Sequence, residues 1–169
     1  MDITKMVEAL SSRIGAFDGL GDDRPDHVLV RAVLLVGEDD AVYVDDDLSR
    51  SLDSPGWSGG VLIFTPDRVI RLTLSEATDD ATASGPASSV EATSWWRGDL
   101  RSVVALGTDQ AWKGSSGDGI LEATGFQLTY ADGQTIDVPS RWESGAGRST
   151  RESLMELLPF LLDDLATAR

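Results

Sequence analysis

The sequence predicts an α+β protein that is mainly β: a bent antiparallel sheet or barrel of about seven strands, capped by a C-terminal amphipathic helix. Three observations lead to this fold class. Residues 59–74 and residues 126–138 each resemble two short strands joined by a tight turn, and residues 149–168 repeat leucine at helical spacing. Several short strands followed by one helix are typical of a small sheet whose open end the helix covers.

The two hairpins are the strongest local signals. In GGVLIFTPDRVIRLTL, residues 61–65 and 69–74 are rich in β-branched and apolar side chains, and Pro66-Asp67 favours a tight turn between them. In FQLTYADGQTIDV, the dipeptide Asp132-Gly133 suits a turn with positive φ. We therefore expect both segments to form antiparallel strand pairs.

Two helices are predicted to flank the strands. Apolar residues at helical spacing predict an extra N-terminal helix within residues 1–21. In the C-terminal helix, Ser149 and Glu152 match a capping box, and Pro159 is expected to bend the axis. The face of this helix that is expected to be buried consists of Leu154, Leu157, Leu158, Leu161, Leu162 and Leu165.

The length of the chain favours one domain, residues 1–169. With 169 residues, of which 41% are hydrophobic, it can bury one core but is short for two. The sheet is expected to span residues 28–138, with residues 28–36 as a first, largely buried strand. Residues 75–93 are small and polar, which predicts a mobile insertion, and residues 107–119 are rich in Gly and Ser and predict a second loop.

The charge balance limits the kinds of partner. The chain has 29 acidic and 14 basic residues, a net charge of −15, which should repel nucleic acids and anionic membranes. It has no cysteine, which excludes disulfides and thiolate chemistry and suits a reducing compartment. We see neither a signal-peptide pattern nor a stretch of transmembrane length, so the expected location is cytoplasmic.

The sequence motifs do not favour catalysis. Residues 56–60, GWSGG, match G-x-S-x-G, but a predicted strand follows Ser58 where a hydrolase needs a helix, and the one histidine, His27, precedes it. A single histidine without cysteine also argues against zinc. The acidic run at residues 45–47 lacks the spacing of an EF-hand, although calcium binding by the acidic loops stays open. We predict no enzyme activity and no cofactor.

The order of elements resembles the pleckstrin-homology-like domains, particularly their bacterial and GRAM-type members. Residues 59–74 resemble the family's glycine-apolar-Thr-Arg hairpin, residues 94–106 (SWWRGDLRSVVAL) its next strands, and residues 126–140 its late hairpin. Residues 150–168 would be its capping helix. The resemblance covers residues 28–169 and leaves the N-terminal helix outside.

The resemblance implies an interaction domain, not a particular ligand. Members that bind phosphoinositides use a basic loop between the first two strands. Here the corresponding residues 37–60 contain Arg50 as their single basic side chain, among many acidic ones. We therefore do not expect this chain to share the lipid binding of those members, and protein interaction is the expected role.

We expect a non-enzymatic domain that binds a protein partner or self-associates. The candidate contact residues are Trp95 and Trp96, which as strand neighbours cannot both face one core, and Met155 and Phe160, which lie away from the leucine face. The alternative is an acidic decoy or inhibitor of a basic protein surface. A carboxylate-based enzyme ranks last, because no pattern in the sequence identifies two of the acidic residues as a catalytic pair.

Overall fold

The computed structural model describes residues 2–14, 26–37, 41–50, 56–77, 89–110, 121–140 and 148–168. These residues form an α+β fold, mainly β, with two antiparallel sheets, three α-helices and a single 3-10 turn at Arg97–Asp99. The helices are α1 (Ile3–Ser11), α2 (Asp26–Val36) and α3 (Arg148–Thr167). The strands are β1 (Tyr43–Asp46), β2 (Ser49–Arg50), β3 (Trp57–Phe64), β4 (Arg68–Ala77), β5 (Ser89–Trp96), β6 (Leu100–Gln110), β7 (Leu121–Tyr130) and β8 (Thr135–Val138).

The chain divides into two compact units, Met1–Trp96 and Arg97–Arg169. The first unit contains α1, α2 and a sheet in the order β1-β3-β4-β5, with the short β2 also paired to β3. The second contains α3 and a sheet in the order β6-β7-β8. The described strands therefore form two separate sheets and no closed barrel. One domain over residues 1–169 stays a prediction.

The core of the first unit lies between its helices and one face of its sheet. Val61 and Ile63 of β3 and Ile70 and Leu72 of β4 face this core, two residues apart on each strand as the period of a strand requires. The helices contribute the buried side chains Val7, Leu10, Leu29, Ala32 and Val33. On the other face of the sheet Tyr43 and Phe64 are also buried, with an edge-to-face ring contact at 5.7 Å.

The first predicted hairpin is confirmed. β3 and β4 pair antiparallel with Phe64 opposite Val69, and the chain reverses at Pro66-Asp67. The Thr65 N–H donates to the Arg68 carbonyl at 2.9 Å, and the Arg68 N–H donates to Thr65 Oγ1 at 3.0 Å. These bonds close the turn that proline favours.

The prediction of a first strand at residues 28–36 is wrong, because this segment is the helix α2. A continuous apolar run does not by itself distinguish a buried strand from a buried helix. Leu29, Ala32 and Val33 are buried, at helical spacing, while Arg31 and Leu34 are exposed. The sheet therefore begins at Tyr43, and residues 37–60 contain β1 and β2 instead of a loop between the first two strands.

The two predicted loops are shorter than expected. β4 continues to Ala77 and β5 begins at Ser89, with regular pairing out to Ser75 opposite Ser89, so strands occupy both ends of the predicted insertion at residues 75–93. Likewise, β6 continues to Gln110 and β7 begins at Leu121. Strands pair through their backbones and do not need large side chains, which explains why the sequence predicted shorter strands than the structure has. Residues 78–88 and 111–120 lie outside the described residues.

In the second unit, α3 packs on the sheet formed by β6, β7 and β8. The second predicted hairpin is confirmed: β7 and β8 pair with Leu128 opposite Ile136, and Gly133 adopts a positive φ of 82° in the turn. The Gly133 N–H donates to the Tyr130 carbonyl at 2.9 Å. A residue with a Cβ would adopt this φ less readily.

The buried face of α3 is narrower than predicted. Leu154, Leu157 and Leu161 are buried, but Leu162 is exposed, and the next buried position after Leu161 is the charged Asp164. Pro159 lies inside the helix, as predicted. The helix begins at Arg148, one residue before the predicted cap Ser149, and the side chains of residues 149 and 152 lie outside the described part of the chain. The predicted bend stays a prediction.

Candidate functional site

The two adjacent tryptophans end β5. Trp95 lies opposite Val69 of β4 and is half-buried, whereas Trp96 lies opposite Arg68 with 56% of its surface exposed. Successive strand residues point to opposite faces, so the two indoles face opposite sides of the sheet, as predicted. Trp96 is therefore a large apolar side chain that the first unit leaves in contact with solvent.

Arg68 covers part of the Trp96 ring. Its guanidinium carbon lies 4.5 Å from the ring centroid, within the range of a cation–π contact. The same side chain lies 3.8 Å from the carboxylate of Asp67, and both charged groups are more than one third exposed. The Arg68–Trp96 pair, defined by these two residues, thus limits the rotamers of the indole while leaving much of it accessible.

The strand that ends in this pair lies at an edge of its sheet. Among the described residues β5 pairs with β4 alone, and the side chains of Glu91, Ala92, Thr93 and Ser94 are exposed on both faces. The outer side of such a strand presents backbone N–H and C=O groups that another strand can bond. The Arg68–Trp96 pair and this open edge form the candidate contact surface.

Met155 and Phe160 lie on α3 but not on one surface. They are five positions apart in the chain, which places them roughly 140° apart around the helix axis. Met155 is half-buried, and Phe160 is 43% exposed. The Phe160 ring packs against Arg97, whose guanidinium carbon lies 5.4 Å from its centroid. The two residues therefore occupy opposite margins of the buried face of α3.

A buried ion pair, which the sequence did not reveal, joins the 3-10 turn to α3. Arg97 Nε donates to Asp164 Oδ2 at 2.8 Å, and Arg97 Nη2 donates to Asp164 Oδ1 at 2.9 Å, a two-pronged geometry that suits guanidinium and carboxylate. Only 7% of the Arg97 side chain and 12% of the Asp164 side chain are exposed. Arg97 also donates to the Phe160 carbonyl at 3.3 Å. These contacts complete a structural network within the second unit.

The two tyrosines of the chain lie in apolar surroundings. Burial raises the pKa of the Tyr130 phenol well above its usual value, the Asp164 carboxylate adds to the rise, and Arg97 opposes it. Burial is also the main cause of the raised pKa of Tyr43, and the charge of Asp45 adds to the rise. Both phenols are therefore neutral in the folded protein near pH 7, and neither is prepared to act as a base.

An ultraviolet titration should reveal these raised pKa values. The folded state binds the phenolic protons more tightly than the unfolded state, so stability should fall once pH rises past the ordinary tyrosine pKa of about 10, where unfolded chains ionise first. We expect tyrosinate absorbance to appear only above about pH 11, together with the loss of structure seen by circular dichroism. The denatured protein is the control, and native ionisation near pH 10 would contradict the burial.

The hydrolase-like motif lies within a strand. Ser58 belongs to β3 and pairs with Ser49 of β2, whereas a nucleophilic serine of this type needs a sharp turn between a strand and a helix. Its neighbours Gly59 and Gly60 accommodate Asp47, whose carboxylate accepts a hydrogen bond from the Gly60 N–H. These glycines have a structural role. The side chain of His27 lies outside the described part of α2.

The described residues offer neither a metal-binding cluster nor a membrane-spanning helix. No group of three or more His, Cys, Asp or Glu side chains is arranged there to hold a metal ion. None of the helices found there combines the length and the apolar character needed to cross a bilayer.

Comparison with known proteins identifies no relative. No family model matches the chain, and no match is found among the curated proteins or the solved structures.

Proposed function

We propose that the chain is a non-enzymatic interaction protein that binds another protein through the Arg68–Trp96 pair and the edge of β5. The observation that carries this proposal is the 56% exposure of Trp96 beside the guanidinium of Arg68. Tryptophan and arginine are the residue types most often found where truncation weakens a protein interface. The indole can bury its exposed surface in a partner without losing much rotamer freedom, because Arg68 already restricts it.

The pleckstrin-homology-like resemblance belongs to the same proposal. A run of antiparallel strands from β1 to β5, a second run from β6 to β8, and a helix after the last strand support it. Because the helix α2 lies where a first strand was expected, such a domain would have to be a variant form. The charge of −15 supports a protein partner over nucleic acid or an anionic membrane, and we propose a cytoplasmic location for the complex.

The acidic composition supports a second candidate, a decoy or inhibitor that binds a basic protein surface. The two candidates differ in their response to salt. Binding governed by the net charge should weaken steeply as salt rises, whereas binding through an indole and a strand edge should not.

The variant Trp96→Ala tests the first candidate. Immobilised wild-type chain should retain a partner from an extract of the source cells, and Trp96→Ala should bind it about thirtyfold more weakly, because hot-spot tryptophans contribute on the order of 2 kcal/mol. The matched control is Val104→Ala on β6, which also truncates an exposed apolar side chain. Equal retention by both variants, or no protein retained by the wild type at any salt concentration, would overturn the proposal.

A further inference from the structure

We propose that one face of α3 docks an amphipathic helix of another protein, which carries apolar side chains along the contact and Lys or Arg beside them. This inference goes beyond the proposed function, whose surface lies in the first unit. We call this face the outer stripe of α3, and it consists of Met155, Leu158, Pro159, Leu162, Leu165 and Ala166.

The outer stripe is apolar, yet much of it is exposed. Leu162 is 54% exposed, and Pro159 and Ala166, three positions before it and four positions after it, are exposed as well. The other members of the stripe are half-buried at its margin: Met155, Leu158 and Leu165. A group of adjoining apolar side chains at the surface, unlike a scattered one, is typical of an interaction site.

The spacing within the outer stripe fits a second helix. Met155, Leu158, Leu162 and Leu165 follow one another at intervals of three, four and three residues, the pattern by which two helices interlock along a shared seam. The seam runs for roughly 15 Å along α3. A helix lying nearly along the axis of α3 can therefore insert its own apolar side chains between these four.

The charges that border the outer stripe are negative. Around the helix, the next side chains beyond Pro159 are Asp163 and Glu156, and both are exposed. Residues 152–168 contain no Lys or Arg. A partner helix that places Lys or Arg opposite these two carboxylates therefore gains favourable electrostatic contacts at the border of an apolar seam.

The same charges disfavour two other occupants. A second copy of the chain would bring its own Asp163 and Glu156, together with a net charge of −15, to the contact. A helix that lies on a membrane surface typically carries Lys or Arg on its polar face, and this part of α3 has neither. The outer stripe and its border thus favour a basic amphipathic helix of another protein.

Fluorescence anisotropy of the full chain with a labelled synthetic peptide tests the docking. The peptide has about 18 residues, with leucine and lysine at amphipathic helical spacing, and a peptide with glutamate in place of lysine should not bind. Leu162→Gln should weaken binding of the basic peptide by about tenfold, because it removes the most exposed apolar side chain of the seam. The matched control, Val104→Thr on β6, also leaves the net charge unchanged and should bind like the wild type.

A pair of double variants tests the acidic border. Glu156→Gln/Asp163→Asn should weaken binding of the basic peptide by about fivefold at low salt. Glu8→Gln/Glu91→Gln removes two exposed charges from the first unit and should have a much smaller effect. The substituted side chains are all exposed, and circular dichroism checks that each variant folds.

No binding of the basic peptide would overturn the proposal. Equal binding by Leu162→Gln and Val104→Thr, or by the two double variants, would also overturn it, because binding would then follow the net charge alone. Two further results would replace the partner helix with another occupant. These are binding to neutral lipid vesicles, or self-association seen by sedimentation, that Leu162→Gln abolishes.

Discussion

Replacing Arg97 with methionine should lower the free energy of unfolding by about 3–5 kcal/mol, because Asp164 would keep a charge in the interior without its partner. The two side chains are almost fully buried and joined by two hydrogen bonds of 2.8 and 2.9 Å. Methionine preserves most of the volume, so the loss would come mainly from the isolated carboxylate. Chemical denaturation followed by circular dichroism measures it.

Two controls separate the ion pair from its surroundings. The double variant Arg97→Met/Asp164→Leu removes both charges and should recover most of the loss, since apolar replacement of a buried pair is often neutral. Arg101→Met removes an arginine that is 39% exposed and 3.8 Å from Asp99, and should cost less than about 1 kcal/mol. A harmless Arg97→Met, or a double variant as unstable as the sum of its single variants, would contradict this account of the network.

Gly59→Ala should lower the free energy of unfolding by about 3 kcal/mol. Gly59 has a φ of +124°, and a Cβ there would lie 2.6 Å from the carbonyl oxygen of Asp47. That oxygen belongs to the backbone, and Asp47 is fixed by hydrogen bonds to Gly60 through both its N–H and its carboxylate. The clash cannot be relieved by rotation of a side chain.

Gly98→Ala is the matched control for this substitution. A Cβ at Gly98 would have no neighbour within 4 Å, and Gly98 has no positive φ. We expect its unfolding free energy to stay within about 0.5 kcal/mol of the wild type. Equal denaturation midpoints for Gly59→Ala and Gly98→Ala would show that the close approach of Asp47 to β3 is not a constraint.

The hairpins could be predicted from the sequence because their turns carry specific chemistry. Pro66-Asp67 and Asp132-Gly133 mark where the chain reverses, and β-branched and aromatic side chains are frequent on both sides of each turn. For α2 no such local signal exists. An apolar run of this length fits either a strand or a helix, and the packing of Leu29, Ala32 and Val33 into the core decides between them.

The candidate site was predictable only in part. That Trp95 and Trp96 face opposite sides follows from strand geometry, but the exposure of Trp96 and its contact with Arg68 depend on the pairing of β4 with β5. Arg97 and Asp164 are far apart in the chain. The one available signal was Asp164 itself, a charged residue that follows Leu154, Leu157 and Leu161 on the buried face of α3. A buried charge in such a stripe implies a partner without identifying it.

The most direct test of the central claim is photo-crosslinking from position 96. With a photoreactive amino acid in place of Trp96, illumination in the source cells should attach the chain to a protein, either a partner or a second copy, which mass spectrometry identifies. The same group at Val104, an exposed position of β6, is the control and should give no such product. Equal crosslinking from both positions, or none from position 96, would contradict protein binding at the end of β5.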